Sequence, residues 1–384
     1  MINRMNIRIH YSESEIQNCM EAWKAMQRHP NADYDFYALI NRVRNQRPCV
    51  LEFRRGEKIT ALWVGRIEEG LMPVEFGYLK FGRLRVRQLN IINGGILGED
   101  SEEVCRAMLD CAIRLLDEHQ LQFVSFSYVP CDHRVFSLAR KSVAGWLSRD
   151  WGVTPNQHWR MSVPASFEDF LKKRSKKHRY WLKRLPRVID DDFPNQVKMR
   201  AFTKLEDVRE FCREADSVAK LTYQHQLGSA FGDNEEYRDR CELLAKQGAL
   251  RGYIYYINQK PVAYWFVTAY QDTLHLNYTG YVPEFRKYEV GTVLLLKLIE
   301  DHCGSLMKKV DFGLGAALYK ERFGDEEFTE ATVRIYKASL RAQSVKLLAA
   351  LNAQVVMRLK SLLNRLGLLQ KIKTYWRTKL VKQG

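Results

Sequence analysis

The residues of this chain best suited to chemistry gather between Tyr281 and Gly324. Arg286 and Lys287 stand just before Tyr288, Val290, Gly291 and Thr292. There an apolar helical pattern begins, with Val293, Leu294, Leu296, Leu298 and Ile299. The first N–H groups of a helix have no intrahelical acceptor, and the helix dipole adds positive potential. A glycine there lets a ligand approach the backbone, and the two cations add charge from the side. Such a mouth suits an anion, for instance the pyrophosphate of coenzyme A. A second interpretation serves the loop equally well: Gly291 starts a buried helix and Arg286-Lys287 is a solvated turn. Further on, Asp311 ends a short strand, Val310–Phe312, and Tyr319-Lys320 lie on the next helix. A phenol with a pKa near ~10 stays protonated and can donate a proton. His275 and Tyr278 precede these residues on a strand.

The same residues carry a family resemblance. The run from Gly315 to Gly324 resembles the end of the Gcn5-related N-acetyltransferase (GNAT) fold, where a strand leads to a helix with a Leu-Tyr-basic run. Within that superfamily the stretch is similar to the BioF2-like (CelD-type) acetyltransferases. The matching residues are Tyr288 to Gly291, the Leu-rich helix from Thr292, Asp311-Phe312-Gly313-Leu314-Gly315 and Tyr319-Lys320. Glu289 stands where the general loop has a glycine, and the closing pair is Phe323-Gly324 rather than Gly-Phe. The resemblance implies an acetyl-CoA or other acyl-CoA donor held by Arg286, Lys287, Tyr288, Val290, Gly291 and Thr292, with no metal. It implies an amine acceptor on a sugar or cell-envelope precursor. Tyr319 would protonate the leaving thiolate, or else pack beneath the cofactor. Asp311 would orient the amine or act as base, or else cap the next helix. Lys320 would bind phosphate or carboxylate, or else be an exposed helix lysine. His275 and Tyr278 would line the acceptor cleft, and Arg179 would contact substrate. The more distant FemAB-like transferases offer an alternative on the same fold, with aminoacyl-tRNA as donor; the basic C-terminal tail offers another, a non-catalytic membrane-associated scaffold.

The elements that must position these groups can be read from periodicity. Helical spacing runs over Glu15–Arg28 and Phe36–Arg44, and a hairpin joins Pro48–Phe53 to Ile59–Ile67. A strand over Leu84–Ile92 breaks at Asn93-Gly94-Gly95. A helix follows Ser101 and a strand spans Phe123–Val129. The fold class expected is α/β: tandem acetyltransferase-like units, each a mixed, mostly antiparallel sheet flanked by helices. Residues 1–155 read as a degenerate unit, without a basic glycine loop or a Leu-Tyr-Lys run; an unrelated α/β domain competes with that reading. Residues 156–339 read as the catalytic unit. It opens on a strand, Trp159–Val163, and a basic helix over Phe167–Ile189. A strand at Val197–Phe202 and helices at Leu205–Leu221 and Glu235–Lys246 follow. A meander over Leu250–Ile257, Val262–Tyr270 and Thr273–Tyr281 leads into the stretch described first, and Thr332–Ala338 closes the unit. The basic helix either covers the mouth of a site or binds nucleic acid through its interleaved aromatics.

Composition sets the outer limits. With 384 residues, 46% of them hydrophobic, the chain can bury a substantial core in about two to three domains. The net charge of +16 is uneven: after Glu330 there are twelve Lys/Arg and no Asp/Glu. Residues 340–384 therefore read as a basic amphipathic helical tail. It either packs on the body or on a second subunit, or contacts an anionic membrane face, with Trp376 at the interface. No apolar run reaches the ~18 residues of a spanning helix, and the N-terminus has no secretory pattern. The eight cysteines form no C-x-x-C pair. They read as buried free thiols in a cytoplasmic protein. The sequence carries no P-loop, Gly-x-Ser-x-Gly or His-Glu-x-x-His motif.

Overall fold

A computed structural model describes residues 6–368, apart from 77–78, 142–144 and 316, together with residue 372. Trp376 and most of the tail beyond Gly367 lie outside the described residues. The chain forms two compact units: residues 6–157 with 328–368, and residues 158–327.

The first unit begins with β1 (Asn6–His10), α1 (Glu13–Gln17), α2 (Met20–Met26) and α3 (Tyr34–Val43). The helix read over Glu15–Arg28 is thus two helices, divided at Asn18-Cys19. There follow β2 (Arg47–Arg55), β3 (Lys58–Phe76), β4 (Leu79–Gly98), α4 (Glu102–Glu118), β5 (Phe123–Pro130) and α5 (Arg134–Lys141). Gly56, at φ +60°, makes the hairpin turn between Arg55 and Lys58. Asn93-Gly94-Gly95 does not end β4. Trp63 pairs with Ile96 and Gly65 with Ile91, so residues 92–95 bulge out opposite Val64 and the strand resumes. Glycine is required there. Gly94 has φ +74° with the His29 side chain on its open side, and a Cβ on Gly95 would meet the Val64 carbonyl.

The second unit begins with β6 (Asn156–Ser162), whose first two residues fall in the first unit, then α6 (Phe167–Lys172) and α7 (Lys176–Asp192). Ser166 and Ser175 each cap a helix, which divides the single basic helix expected. Next come β7 (Val197–Phe202), α8 (Val208–Ala219), α9 (Tyr223–Gln226), α10 (Glu235–Lys246), β8 (Leu250–Ile257), β9 (Lys260–Tyr270) and β10 (Thr273–Tyr281). A 3₁₀ turn, Pro283–Tyr288, leads to α11 (Val290–His302), β11 (Lys309–Leu314) and α12 (Leu318–Phe323). The chain then enters β12 (Glu326–Tyr336) and α13 (Leu340–Arg365).

Each unit has one topology. In the first, β1-β2-β3-β4 are antiparallel neighbours, α4 crosses over to β5 parallel to β4, and β12 lies antiparallel to β5. In the second, β7-β8-β9-β10 repeat that meander, α11 crosses to β11 parallel to β10, and β6 lies antiparallel to β11. The closing strands are exchanged along the chain: β6, following the first meander, completes the second sheet, and β12, following the second, completes the first. In the second unit Phe202, Phe211, Phe231 and Phe266 pack under α8, and Val293, Leu294, Leu298 and Ile299 bury α11. Gly252 sits directly beneath the Phe211 ring, where a Cβ would come to 2.6 Å. A Gly252→Val substitution should lower the unfolding free energy by about 1–3 kcal/mol in a urea melt.

Candidate active site

The site is built at the root of a fork. β10 and β11 pair over three positions, Thr273–His275 against Lys309–Asp311, and then stop pairing. Past that point β10 carries an irregularity at Asn277 and β11 one between Asp311 and Leu314, where Gly313 and Gly315 have φ +69° and +94°. Asp311 lies between His275 on β10 and Arg160 on β6 in register. His158, two residues before Arg160, shares its face of the strand.

Asp311 is 3% exposed. His158 Nε2 approaches its Oδ1 at 2.5 Å, Arg160 Nε donates to Oδ2 at 3.0 Å, and the Gly313 N–H donates to Oδ1 at 2.8 Å. Burial alone would raise the carboxyl pKa. The His158 hydrogen bond, with the charges of His158, His275 and Arg160, overcomes burial and holds it well below the usual carboxylate range. A group so held is a fixed negative charge rather than a proton acceptor. It also closes a turn onto Gly313 instead of capping α12. Burial pushes the His275 imidazole below its ordinary pKa, against the pull of Asp311.

Tyr319 and Lys320 follow on α12. The Tyr319 ring stands edge-on to Trp265 and Phe312, each at 6.1 Å between centroids. Residues alternate across a strand, so Phe312 faces away from Asp311, and Tyr319 lies on that opposite face. Burial raises its phenol, which stays protonated. Lys320 is buried, not exposed. Its Nζ donates to the carbonyl oxygens of Gly313 at 3.0 Å and Leu314 at 2.6 Å. Burial lowers its pKa to about 8, with Asp311 pulling the other way.

At the far end of β10 lies the start of α11. Its N-cap residue, Glu289, is left-handed at φ 52° and makes no side-chain cap. Gly291 has ordinary φ, and a Cβ there would meet only Tyr281, at 3.6 Å. Thr292 is half-buried on the same turn. Val290 is buried, and Arg286 and Lys287 are exposed. Lys287 lies over the Tyr288 ring, 4.4 Å from Nζ to centroid. Tyr288 is buried: its hydroxyl donates to Asp192 at 2.6 Å and its ring meets Phe193, so it ties the turn to α7. The equivalent helix of the first unit, α4, is closed to anions. Ser101 caps it, and Glu102 and Glu103 occupy its first turn.

Tyr278 joins an aromatic cluster with Phe231, Tyr237 and Phe266, and Arg240 stands over Tyr237 and Tyr278. Arg179 is in the first turn of α7, beside His178, whose ring meets Phe323. The structure thus brings His275, Asp311 and Lys320 together at the fork root. Gly291 and Thr292 lie at the other end of β10, and Tyr288 serves packing. Sequence reasoning missed His158, Arg160, Trp265 and Arg240. For a metal, one trio among the described residues converges: His10, Cys19 and Glu52, their ligand atoms within 4.8 Å. Cys19 Sγ donates to Glu52 at 2.9 Å, His10 is 3.0 Å from it, and Arg54 also bonds it, so the first unit already satisfies this carboxylate.

Residues 176–321 match the family model described as "Acetyltransferase (GNAT) domain". The match spans α7 to α12 and leaves out His158 and Arg160. No curated protein matches the chain. The fold is similar to that of FemX, at 10% identity and TM-score 0.56 over 89% of this chain and 100% of that one. It is also similar to a conserved protein of unknown function from Bacteroides thetaiotaomicron VPI-5482, at 11% identity and TM-score 0.50, over 86% and 100%.

The lysine at the fork root gives a measurable consequence. Between pH 8 and its unfolded pKa near ~10.4, native Lys320 is neutral while the unfolded residue holds its proton, so stability rises with pH. Relative to Lys320→Met, the native chain should gain up to about 1.4 kcal/mol per pH unit across that window, measured by urea unfolding. Equal pH dependence in both would show that the amine keeps its proton. With these geometries in place, the chain is a protein of two acetyltransferase-fold units.

Proposed function

We propose that the second unit is an N-acyltransferase that takes its acyl group from an acyl-CoA and passes it to an amine of a sugar or cell-envelope precursor. One observation carries the donor assignment. The uncapped start of α11 carries a glycine that no protein contact demands, since its missing Cβ faces only Tyr281 at 3.6 Å. Backbone N–H groups there suit the pyrophosphate, with Arg286 and Lys287 beside them. The fork between β10 and β11 admits the pantetheine arm. The acceptor class rests on the likeness to the BioF2-like branch.

Acyl transfer needs a free amine, a stabilised oxyanion and a protonated leaving group. His275, kept neutral by burial, takes a proton from the incoming ammonium. The amine attacks the thioester carbonyl, the C–S bond breaks, the thiolate takes the phenolic proton of Tyr319, and the proton shed by the new amide nitrogen passes through solvent to restore the phenol. Asp311 holds the imidazole side of the fork in place. A donor threaded through the fork meets the acceptor on the Asp311 face and Tyr319 on the other. A second reading, with aminoacyl-tRNA as donor, is favoured by the basic start of α7: Lys176, Lys177, Arg179, Lys183 and Arg184.

Gly291→Ala separates protein need from ligand need. It should leave stability unchanged or raise it by up to ~1 kcal/mol, while weakening CoA binding at least ~10-fold by calorimetry, or about 1.4 kcal/mol. Unchanged CoA affinity, or tight salt-sensitive tRNA binding with none for CoA, would overturn the acyl-CoA assignment. Tyr319→Phe should leave CoA affinity intact and lower kcat about 10²-fold.

A further inference from the structure

The helix α13 is anchored at its base. Ser339 caps it, Gln343 and Lys346 donate to the carbonyl of Leu147, and Ala342, Val345 and Lys346 are buried. Beyond Lys346, Ala349 and Ala350 lie against Gly152 and Val356, Leu359 and Leu363 are half-buried, while the neighbouring face carries an apolar stripe exposed among the described residues. Leu347, Leu348, Leu351, Val355, Leu362 and Leu366 are between 39% and 60% exposed. At 3.6 residues per turn these six fall within about 100° of arc on one side of the helix. The helix also carries Arg341, Lys346, Arg358, Lys360 and Arg365 and no acidic residue.

A basic recess adjoins the stripe near the helix base. It is lined by Glu69, Arg85, Arg87, Gln120, Gln122 and Arg341, and encloses about 260 Å³. Two of its guanidiniums share one carboxylate: Glu69 lies 3.7 Å from Arg85 and 3.1 Å from Arg87. Arg341 donates to the Arg85 carbonyl at 3.4 Å, so the recess and the helix are joined. On the helical wheel Arg341 borders the apolar stripe.

We propose that α13 and the Arg85–Arg87–Arg341 recess dock this protein on the surface of an anionic lipid bilayer. The stripe enters the acyl boundary and the recess takes a headgroup phosphate. Charge selects this occupant. A second copy would bring one cationic helix against another, whereas an anionic surface complements every charge on α13. Docking lies in the plane of the surface, because no described helix is long and apolar enough to cross a membrane. The inference is independent of the donor site in the second unit.

The test is co-sedimentation of the full chain with vesicles of phosphatidylcholine alone or mixed with phosphatidylglycerol. Binding should be at least ~10-fold stronger to the mixed vesicles and should weaken as salt rises. The pair Leu351→Glu and Val355→Glu should lower it at least ~10-fold. Arg85→Gln, Arg87→Gln and Arg341→Gln together should erase the preference for the anionic lipid. Arg87 is half-buried and the other four side chains are exposed, and circular dichroism checks folding. Equal binding to both vesicles, or none, overturns the proposal. So does a concentration-dependent dimer in sedimentation velocity that Leu351→Glu abolishes, since a second copy would then cover the stripe.

Discussion

A single buried carboxylate holds the second unit's site together. Asp311 joins β11 to β6 through His158 and Arg160, and its own turn through the Gly313 N–H. His275 faces it from β10. Two unit charges about 4 Å apart interact by ~4 kcal/mol at the effective dielectric near a protein surface, and a broken buried pair destabilises by about 3–5 kcal/mol. That network stands where the β10–β11 pairing ends. It fixes how far the strands stay together, and so where they part.

The two units share a topology but differ at the crossover helix. In the first, α4 begins with a serine that caps the Val104 N–H and with two glutamates, whose negative charge opposes an anion there. In the second, α11 begins after a left-handed glutamate, with no side-chain cap and no acid in its first turn. The contrast comes from a few residues. On the proposed function, the same fold serves as scaffold in one unit and offers an anion site in the other.

Local signals made much of this legible in sequence. The alternating aromatic strands from Leu250 to Tyr281, the caps at Ser101 and Ser166, and the Tyr319-Lys320 pair all lie within short windows. What was hidden is non-local. His158 and Arg160 sit in a strand of no obvious motif, about 150 residues from the aspartate they hold. The exchange of β6 and β12 leaves no mark on either strand. Lys320 reads as an exposed helix lysine until the carbonyls of Gly313 and Leu314 turn toward it, a bend set by two left-handed glycines. Asn93-Gly94-Gly95 reads as a break because glycine pairs usually end strands; here they let one bulge past Val64. Ser175 divides the basic helix because its side chain accepts the His178 N–H.

The most direct measurement is the amide spectrum of the isotopically labelled chain during a titration with CoA. If the start of α11 grips the donor, the Val290 and Gly291 amide resonances shift saturably, while those of Glu102 and Glu103 at the start of α4 stay fixed. Fixed resonances at Val290 and Gly291, or shifts confined to the first unit, would contradict it.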